Sequence, residues 1–177
     1  MENVFSNEKD HGVFSWANLG DIKKGRGALG DEMPVLVYRL MQFTMLDVLT
    51  RELGKEKAKH FIREAGYIAG KEFTQNVMDI SVSLDKFVAN LQKALQELKI
   101  GILRIESLDE ATGEIMLTVA EDLDCSGLPI TGEAVCNYDE GFIAGILEAY
   151  TTKPYAVREI DCWANGSRVC RFRCTVK

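Results

Sequence analysis

The fold is decided by the stretch EIDCWANGSRVCRFRC, residues 159–174, near the end of a 177-residue chain. Asn165-Gly166 separates two runs in which apolar and polar residues alternate, residues 155–163 and 168–176. Both turn residues tolerate the positive φ that a tight β-hairpin turn needs. The pattern therefore predicts a C-terminal β-hairpin that closes at Asn165-Gly166.

Four of the five cysteines lie between residues 136 and 174. The predicted hairpin brings Cys162 and Cys170 towards each other. Cys136 lies at the start of a predicted helix, where backbone N–H groups and the helix dipole favour a thiolate. These thiols indicate a candidate metal site, but buried cysteines that act as small hydrophobic residues are about as common. The residue types alone leave both interpretations open.

Cys136, Glu159, Cys162 and Cys170, together with the Gly166 turn, resemble the signature of the 4-vinyl-reductase (4VR) domain family. This family includes hydrocarbon-binding proteins and the sensor domains of phenol- and xylene-responsive transcription activators. The resemblance extends over most of the chain after about residue 28. In those sensor domains three cysteines and one glutamate hold zinc, which implies a zinc site at Cys136, Glu159, Cys162 and Cys170.

The fourth metal ligand is open from the sequence alone, because Glu159, Asp161 and Cys174 all lie close to the three cysteines. Ideal alternation places Glu159 on the strand face opposite Cys162, so a bulge is needed to turn it inward. The resemblance ranks Glu159 first. Cys125 has no counterpart in the family signature, and we expect it to be buried. Three thiolates and a carboxylate would close the coordination shell, so the implied zinc is structural.

Composition bounds the class of protein. Length and apolar content predict one domain over residues 29–177 after an N-terminal arm, residues 1–28. The net charge of −6 argues against nucleic-acid binding. We expect no signal segment and no membrane-spanning helix, and we expect free or metal-bound cysteines rather than disulfides. These features predict a cytoplasmic protein that does not enter the membrane.

Periodicity of apolar residues predicts the order helices, strand pair, helix, strand pair. The predicted helices are residues 34–53, 55–78, 83–98 and 135–150, and the first strand pair is residues 100–108 and 114–120. This order predicts an α+β fold, a mainly antiparallel sheet packed by about four helices, with the C-terminal β-hairpin clamped by the metal site. Asp122 and Asp124 follow the first strand pair without the spacing of an EF-hand, and we expect them to be solvated.

The first predicted helix, residues 34–53, is apolar on more than one face. Such a helix is either central to a domain or half of an interface, and we expect both, with a homodimer through this helix.

The function implied by the resemblance is non-catalytic binding or sensing of a small hydrophobic or aromatic molecule. Helices over one face of a sheet can enclose an apolar cavity. Candidate lining residues are Phe87, Leu91, Ile115, Ile146, Tyr150 and Val157, although each could equally fill the core. The histidine that holds the phenol hydroxyl in the sensors is missing, since neither His11 nor His60 falls in a matching segment, so a less polar ligand is expected.

Two other functions remain open. The family takes its name from a reductase of tetrapyrrole (chlorophyll-type) pigment synthesis, but no nucleotide-binding loop or catalytic triad is present, so we expect no catalytic residues. Related domains also occur as subunits of assemblies. The 177 residues contain no helix-turn-helix or ATPase motif, so a sensor would need a separate output protein as partner.

Overall fold

The structure, a computed structural model, describes residues 14–177. The chain divides into two compact units, one ending at Glu32 and one from Met33 to Lys177. The described part of the first unit contains a 3₁₀ helix, Trp16–Leu19, and helix α1, Ile22–Gly25. Residues 1–13 of the predicted arm lie outside the described residues, and the boundary at residue 28 stays a prediction.

The second unit contains four long helices and four strands. The helices are α2 (Val35–Leu53), α3 (Lys55–Val77), α4 (Leu84–Glu97) and α5 (Asn137–Thr151). Their ends differ from the predicted ends by at most two residues, because apolar periodicity and turn residues mark them in the sequence. Gly54, for example, has a φ of +82° and separates α2 from α3.

The four strands form one antiparallel sheet in the order β1-β2-β4-β3. They are β1 (Ile102–Asp109), β2 (Glu114–Ala120), β3 (Tyr155–Asp161) and β4 (Cys170–Val176). The C-terminal strand therefore lies between the two hairpins and joins them. With the five helices, this sheet confirms the predicted α+β fold.

The prediction of a two-residue turn between β3 and β4 is wrong. Residues 162–169 form a longer loop that contains a 3₁₀ helix, Trp163–Asn165, and of the predicted turn pair only Gly166 has a positive φ, at +103°. Asn165 does not enter the left-handed region because its Oδ1 accepts a hydrogen bond from the Cys162 N–H at 3.2 Å. The loop is also held from outside, since the Ala164 carbonyl accepts bonds from the N–H groups of residues 131 and 132.

Helices α4 and α5 pack on the sheet, α3 packs on α5, and α2 packs on α3. The contact between α3 and α5 depends on four buried glycines, two on each helix: Gly66, Gly70, Gly141 and Gly145. A Cβ at any of these positions would overlap with a backbone carbonyl of the other helix. The two backbones are therefore in direct contact, and this contact sets where α5 lies over the sheet.

Among the described residues, no helix has both the length and the apolar character needed to cross a membrane.

Candidate functional site

Four thiols meet in the interior of the second unit. Cys125 lies in the loop after β2, Cys136 precedes α5, Cys162 follows β3 and Cys170 begins β4. Each is at most 1% exposed, and the four sulfur atoms all lie within 4.8 Å of one another. The Sγ of Cys136 is 3.8 Å from the Sγ atoms of both Cys162 and Cys170, and the Cys125 and Cys170 sulfurs are 3.1 Å apart. The loop, the helix start and the C-terminal hairpin thus converge on one cluster, which we call the cysteine cluster.

The spacing of these sulfurs fits a tetrahedral metal. A zinc–sulfur bond of about 2.3 Å gives a regular tetrahedron with sulfur–sulfur edges of about 3.8 Å. Two of the measured separations equal that edge, and the third is shorter. Four buried thiols are also the soft donors that zinc and iron prefer. The cluster could therefore hold a metal.

The thiols perturb one another. Hydrogen bonds from the other cysteines, that from Cys125 first, lower the pKa of Cys162. Hydrogen bonding within the cluster, again first with Cys125, raises the pKa of Cys136 and of Cys170. The thiol of Cys162 thus loses its proton more readily than those of Cys136 and Cys170, and a metal bound by all of them would displace the remaining protons.

Glu159 approaches the cluster through an irregularity in β3. It pairs with Phe172, but the register then shifts, so that Asp161 pairs with Arg171. This is the bulge that an inward Glu159 requires. The Oε2 of Glu159 accepts a hydrogen bond from the Cys136 N–H at 3.0 Å, and its buried Oε1 has no partner among the described residues.

Burial raises the pKa of Glu159 to about 8, and the charge of Cys162 adds to the effect. Its backbone is fixed as well, since the Glu159 N–H donates to Glu140 Oε1 at 3.0 Å. Glu140 in turn forms an ion pair with Arg63 of α3. Glu159 is thus held beside the cysteines without belonging to the group of four sulfurs.

The two other candidates for a fourth ligand lie elsewhere. Asp161 forms an ion pair with Arg171, a half-buried residue that also pairs with Glu106. Cys174 is buried opposite Val157 in β3, outside the cysteine cluster, and burial raises its pKa to about 12.

The sequence interpretation missed Cys125 as a member of the cluster. The expectation that Asp122 and Asp124 are solvated is wrong, because each is only 3% exposed. Asp122 Oδ1 accepts hydrogen bonds from the N–H groups of Asp124 and Cys125, at 2.8 and 3.2 Å. This turn carries Cys125 inward. An aspartate whose side chain accepts hydrogen bonds from the N–H groups two and three residues later is a known local signal for such a turn.

Two side chains of α2 hold the same loop from outside. The Tyr38 hydroxyl donates to Asp124 Oδ1 at 2.7 Å. The Arg39 guanidinium donates to the carbonyls of Leu123 and Ser126, both at 2.9 Å. The position of Cys125 therefore depends on residues that are distant in sequence.

An apolar cavity of about 140 Å³ lies beside the cluster, between α4, α5 and the sheet. The structure places five of the six predicted lining residues around it: Phe87, Leu91, Ile115, Ile146 and Tyr150. The sixth, Val157, lines a separate and more polar cleft. Phe87 and Tyr150 stack with ring centres 4.0 Å apart.

Asp122 and Asp139 also line the cavity, and sequence reasoning did not find them there. Burial raises the pKa of Asp122 to about 7, with a further contribution from Asp124. Burial, followed by the charges of Asp122 and Asp124, raises the pKa of Asp139 well above its usual range. One carboxyl oxygen of each and the Cys136 sulfur lie within 4.8 Å of one another, so the cavity and the cysteine cluster adjoin.

Helix α2 presents an apolar surface. Within the described part of the chain, none of its 19 residues is buried, so the expectation that this helix is also central to the domain is wrong. Leu36 and Leu40, one turn apart, are 69% and 57% exposed. Exposed apolar surface of this extent is typical of an interface.

Comparison with known proteins gives a match to one domain model and a shared fold. Residues 115–176 match the sequence model of the V4R domain, which is the 4-vinyl-reductase domain of the resemblance. An uncharacterized protein of Methanocaldococcus jannaschii is 29% identical over 144 residues, which cover 81% of this chain and 78% of that protein.

Two solved structures share the fold. One is a vinyl-4-reductase family protein of Methanocaldococcus jannaschii, with a TM-score of 0.58 and 16% identity over 84% of this chain and 85% of that one. The other is the phenol-responsive sensory domain of the transcription activator PoxR with phenol, with a TM-score of 0.61 and 15% identity over 83% of this chain and 76% of that one. The resemblance that the C-terminal motif suggested is thereby confirmed.

Proposed function

We propose that the protein, whose residues 115–176 match the model of the V4R domain, binds or senses a small hydrophobic molecule without transforming it. The V4R domain and the likeness to a phenol-sensing domain fit a ligand-binding or sensing role. The observation that carries the proposal is the apolar cavity of about 140 Å³. A dry cavity of about 150 Å³ lined by Leu, Ile and Phe side chains is enough to bind benzene, so a ligand about the size of one aromatic ring fits.

The test is a titration of the purified protein with toluene and ethylbenzene, followed by ligand-observed NMR and calorimetry. We expect saturable binding that is lost in Ile115→Phe, because the larger ring would fill the cavity. Met116→Phe is the matched control, since its side chain points to the other face of the same strand, and it should bind like wild type. Equal binding by both variants, or no binding by wild type, would refute the proposal.

We also propose that the cysteine cluster holds a structural zinc. Two sets of four ligands are possible: the one implied by the sequence resemblance and the one formed by the four clustered sulfurs. Both contain Cys136, Cys162 and Cys170. The fourth ligand is Glu159 in the first and Cys125 in the second. We favour Cys125, since its sulfur already lies within the group of four, which includes no oxygen of Glu159.

Elemental analysis of variants purified without chelator decides between the two sets. One zinc per chain is expected in wild type, with loss of zinc in Cys125→Ser and in Cys162→Ser. Glu159→Ala should keep the metal if the Oε2 contact only orients the Cys136 backbone. Zinc retained by Cys125→Ser and lost by Glu159→Ala would restore the sequence-based set, and a metal-free wild type would refute both.

Finally, we propose that α2 forms a homodimer interface. The support is its exposed apolar surface, on which Leu36 and Leu40 lie one turn apart. Light scattering at micromolar concentration should give a dimer for wild type and a monomer for the double variant Leu36→Glu/Leu40→Glu. Ile130→Glu is the control, because Ile130 is an equally exposed apolar residue in a loop. A monomeric wild type would refute the interface.

A further inference from the structure

Two carboxyl groups lie at one end of the cavity, and hydroxyl groups line other parts of it. The hydroxyls of Tyr150 and Thr151, which also line the cavity, donate hydrogen bonds to the carbonyls of Val82 and Leu147, at 3.0 and 2.7 Å. Asp122 and Asp139 are the lining side chains that carry acidic groups. A ligand that reaches this end of the cavity therefore meets a pair of carboxyl groups.

These two carboxyls are not fully satisfied by the protein. Asp122 is 97% buried, since its exposed fraction is 3%, and its Oδ1 serves the two backbone N–H groups of its own turn. The Oδ2 of Asp139 is buried and accepts no hydrogen bond from an N–H or hydroxyl group of the described residues, and its carboxyl is hydrogen-bonded instead to that of Asp122. Arg39, a cation that holds the same loop, directs its guanidinium to the carbonyls of Leu123 and Ser126. A buried carboxyl oxygen without a partner is costly, and such groups usually mark a place for a missing partner.

From this juxtaposition we infer the class of ligand: a single-ring or similarly small apolar molecule with an ammonium head group, which Asp139 and Asp122 hold. The inference rests on the proposed binding function and adds the residues that select the head group. An ammonium offers more donors than a hydroxyl and carries a compensating charge, so it should bind more tightly.

The rest of the cavity fits the apolar part of such a molecule. Leu103, Ile105 and Leu108 of β1 all line it, because a register shift between Ile105 and Ser107 keeps Leu108 on the inner face. Asp122 follows the end of β2 that pairs with the start of β1, whereas Leu108 lies at the opposite end of β1. Leu108, Ile105 and Leu84 are all exposed and line the cavity, so they form an apolar rim. The head group would bind at the Asp122 end and the apolar body would extend towards this rim.

The experiment compares toluene, benzyl alcohol and benzylamine as ligands of the metal-loaded wild-type protein, by calorimetry at neutral pH. The three share one ring and differ in the head group. We expect benzylamine to bind at least about tenfold more tightly than toluene, with benzyl alcohol in between. Asp139→Leu keeps the branched shape of the side chain but removes both carboxyl oxygens, and it should reduce the three affinities to the level of toluene. Asp85→Leu removes an exposed carboxylate of α4 that does not line the cavity, and it should keep the wild-type preference.

The outcomes separate this inference from the binding function on which it rests. Equal affinity of wild type for the three ligands would overturn the inference and leave the binding function standing. A preference for benzylamine that survives Asp139→Leu would overturn it too, because the head group would then be held elsewhere. Loss of metal from Asp139→Leu would place Asp139 in the metal centre and also overturn it. Failure of wild type to bind any of the three would overturn the binding function itself.

Discussion

Replacing Gly70 by Ala would test the backbone contact on which the position of α5 depends. Gly70 is buried in α3, and a Cβ there would overlap with the backbone carbonyl of Phe142 in α5. A flexible side chain could rotate away from an added methyl group, but a carbonyl in the middle of a helix cannot. The two helices would have to separate, and the second contact at Gly66 and Tyr138 would be disturbed with them.

The expected loss follows from two opposing contributions. Overpacking of a close contact costs about 1–3 kcal/mol, and a backbone-to-backbone contact belongs at the upper end of that range. Alanine is about 1 kcal/mol better than glycine in a helix interior, which offsets part of the cost. The net loss is about 2 kcal/mol, which corresponds to a decrease in Tm of roughly 4–8 °C for a chain of this size.

Urea unfolding followed by circular dichroism measures this loss directly. Gly25→Ala is the matched control, because Gly25 is also helical but a methyl group added there would meet no neighbouring segment within 4 Å. Gly25→Ala should be neutral or slightly stabilising. Since α5 carries Phe142 and Ile146 of the cavity, Gly70→Ala should also weaken toluene binding. A Gly70→Ala protein as stable as wild type, with unchanged binding, would refute the account of helix packing.

Three further changes have defined outcomes. Arg39→Ala removes two charged hydrogen bonds to the Cys125 loop and should cost about 2 kcal/mol in urea unfolding, whereas Arg51→Ala, which removes an exposed ion pair within α2, should cost less than about 0.5 kcal/mol. Cys174→Ser should retain the wild-type metal content in elemental analysis, because Cys174 lies outside the cysteine cluster; loss of metal would place it in the site. Zinc affinity, measured by competition with a chelator, should rise from about pH 6 to about pH 8, because the thiols with raised pKa must lose protons on binding; a flat profile would contradict the proton release.

The parts of the fold that the sequence predicts are those with strong local signals. Helices α2 to α5 follow from apolar periodicity, and Gly54 ends α2 because its positive φ suits glycine. The bulge in β3 could be predicted because an inward Glu159 and an inward Cys162 cannot both satisfy strict alternation. The two-residue turn predicted from Asn165-Gly166 is wrong, because the Asn165 side chain accepts a hydrogen bond from the Cys162 N–H within a longer loop.

The parts that the sequence did not predict depend on contacts between distant segments. The loop that carries Cys125 has no periodicity of its own. It is held by Tyr38 and Arg39, which lie more than 80 residues earlier in the sequence. Asp122 is polar and follows a strand, which usually indicates solvent exposure. Its burial becomes evident only once β1, β2 and α5 close the cavity around it. Composition and spacing carry no such information, so the acidic end of the cavity needed the structure.

The cavity, the cysteine cluster and the α2 surface share one loop. Asp122 lines the cavity, and its carboxyl accepts the Cys125 N–H, so the group that would meet a ligand also orients a candidate metal ligand. Two residues further, Asp124 accepts the Tyr38 hydroxyl from α2. On the other side, α5 begins next to Cys136 and carries Asp139 in its first turn. Because these hydrogen bonds and short covalent spans are contiguous, substitutions at Asp139, Cys125 and Arg39 should not be independent. Combining them in pairs and comparing the sum of the single effects with the double effect measures how strongly the three regions are coupled.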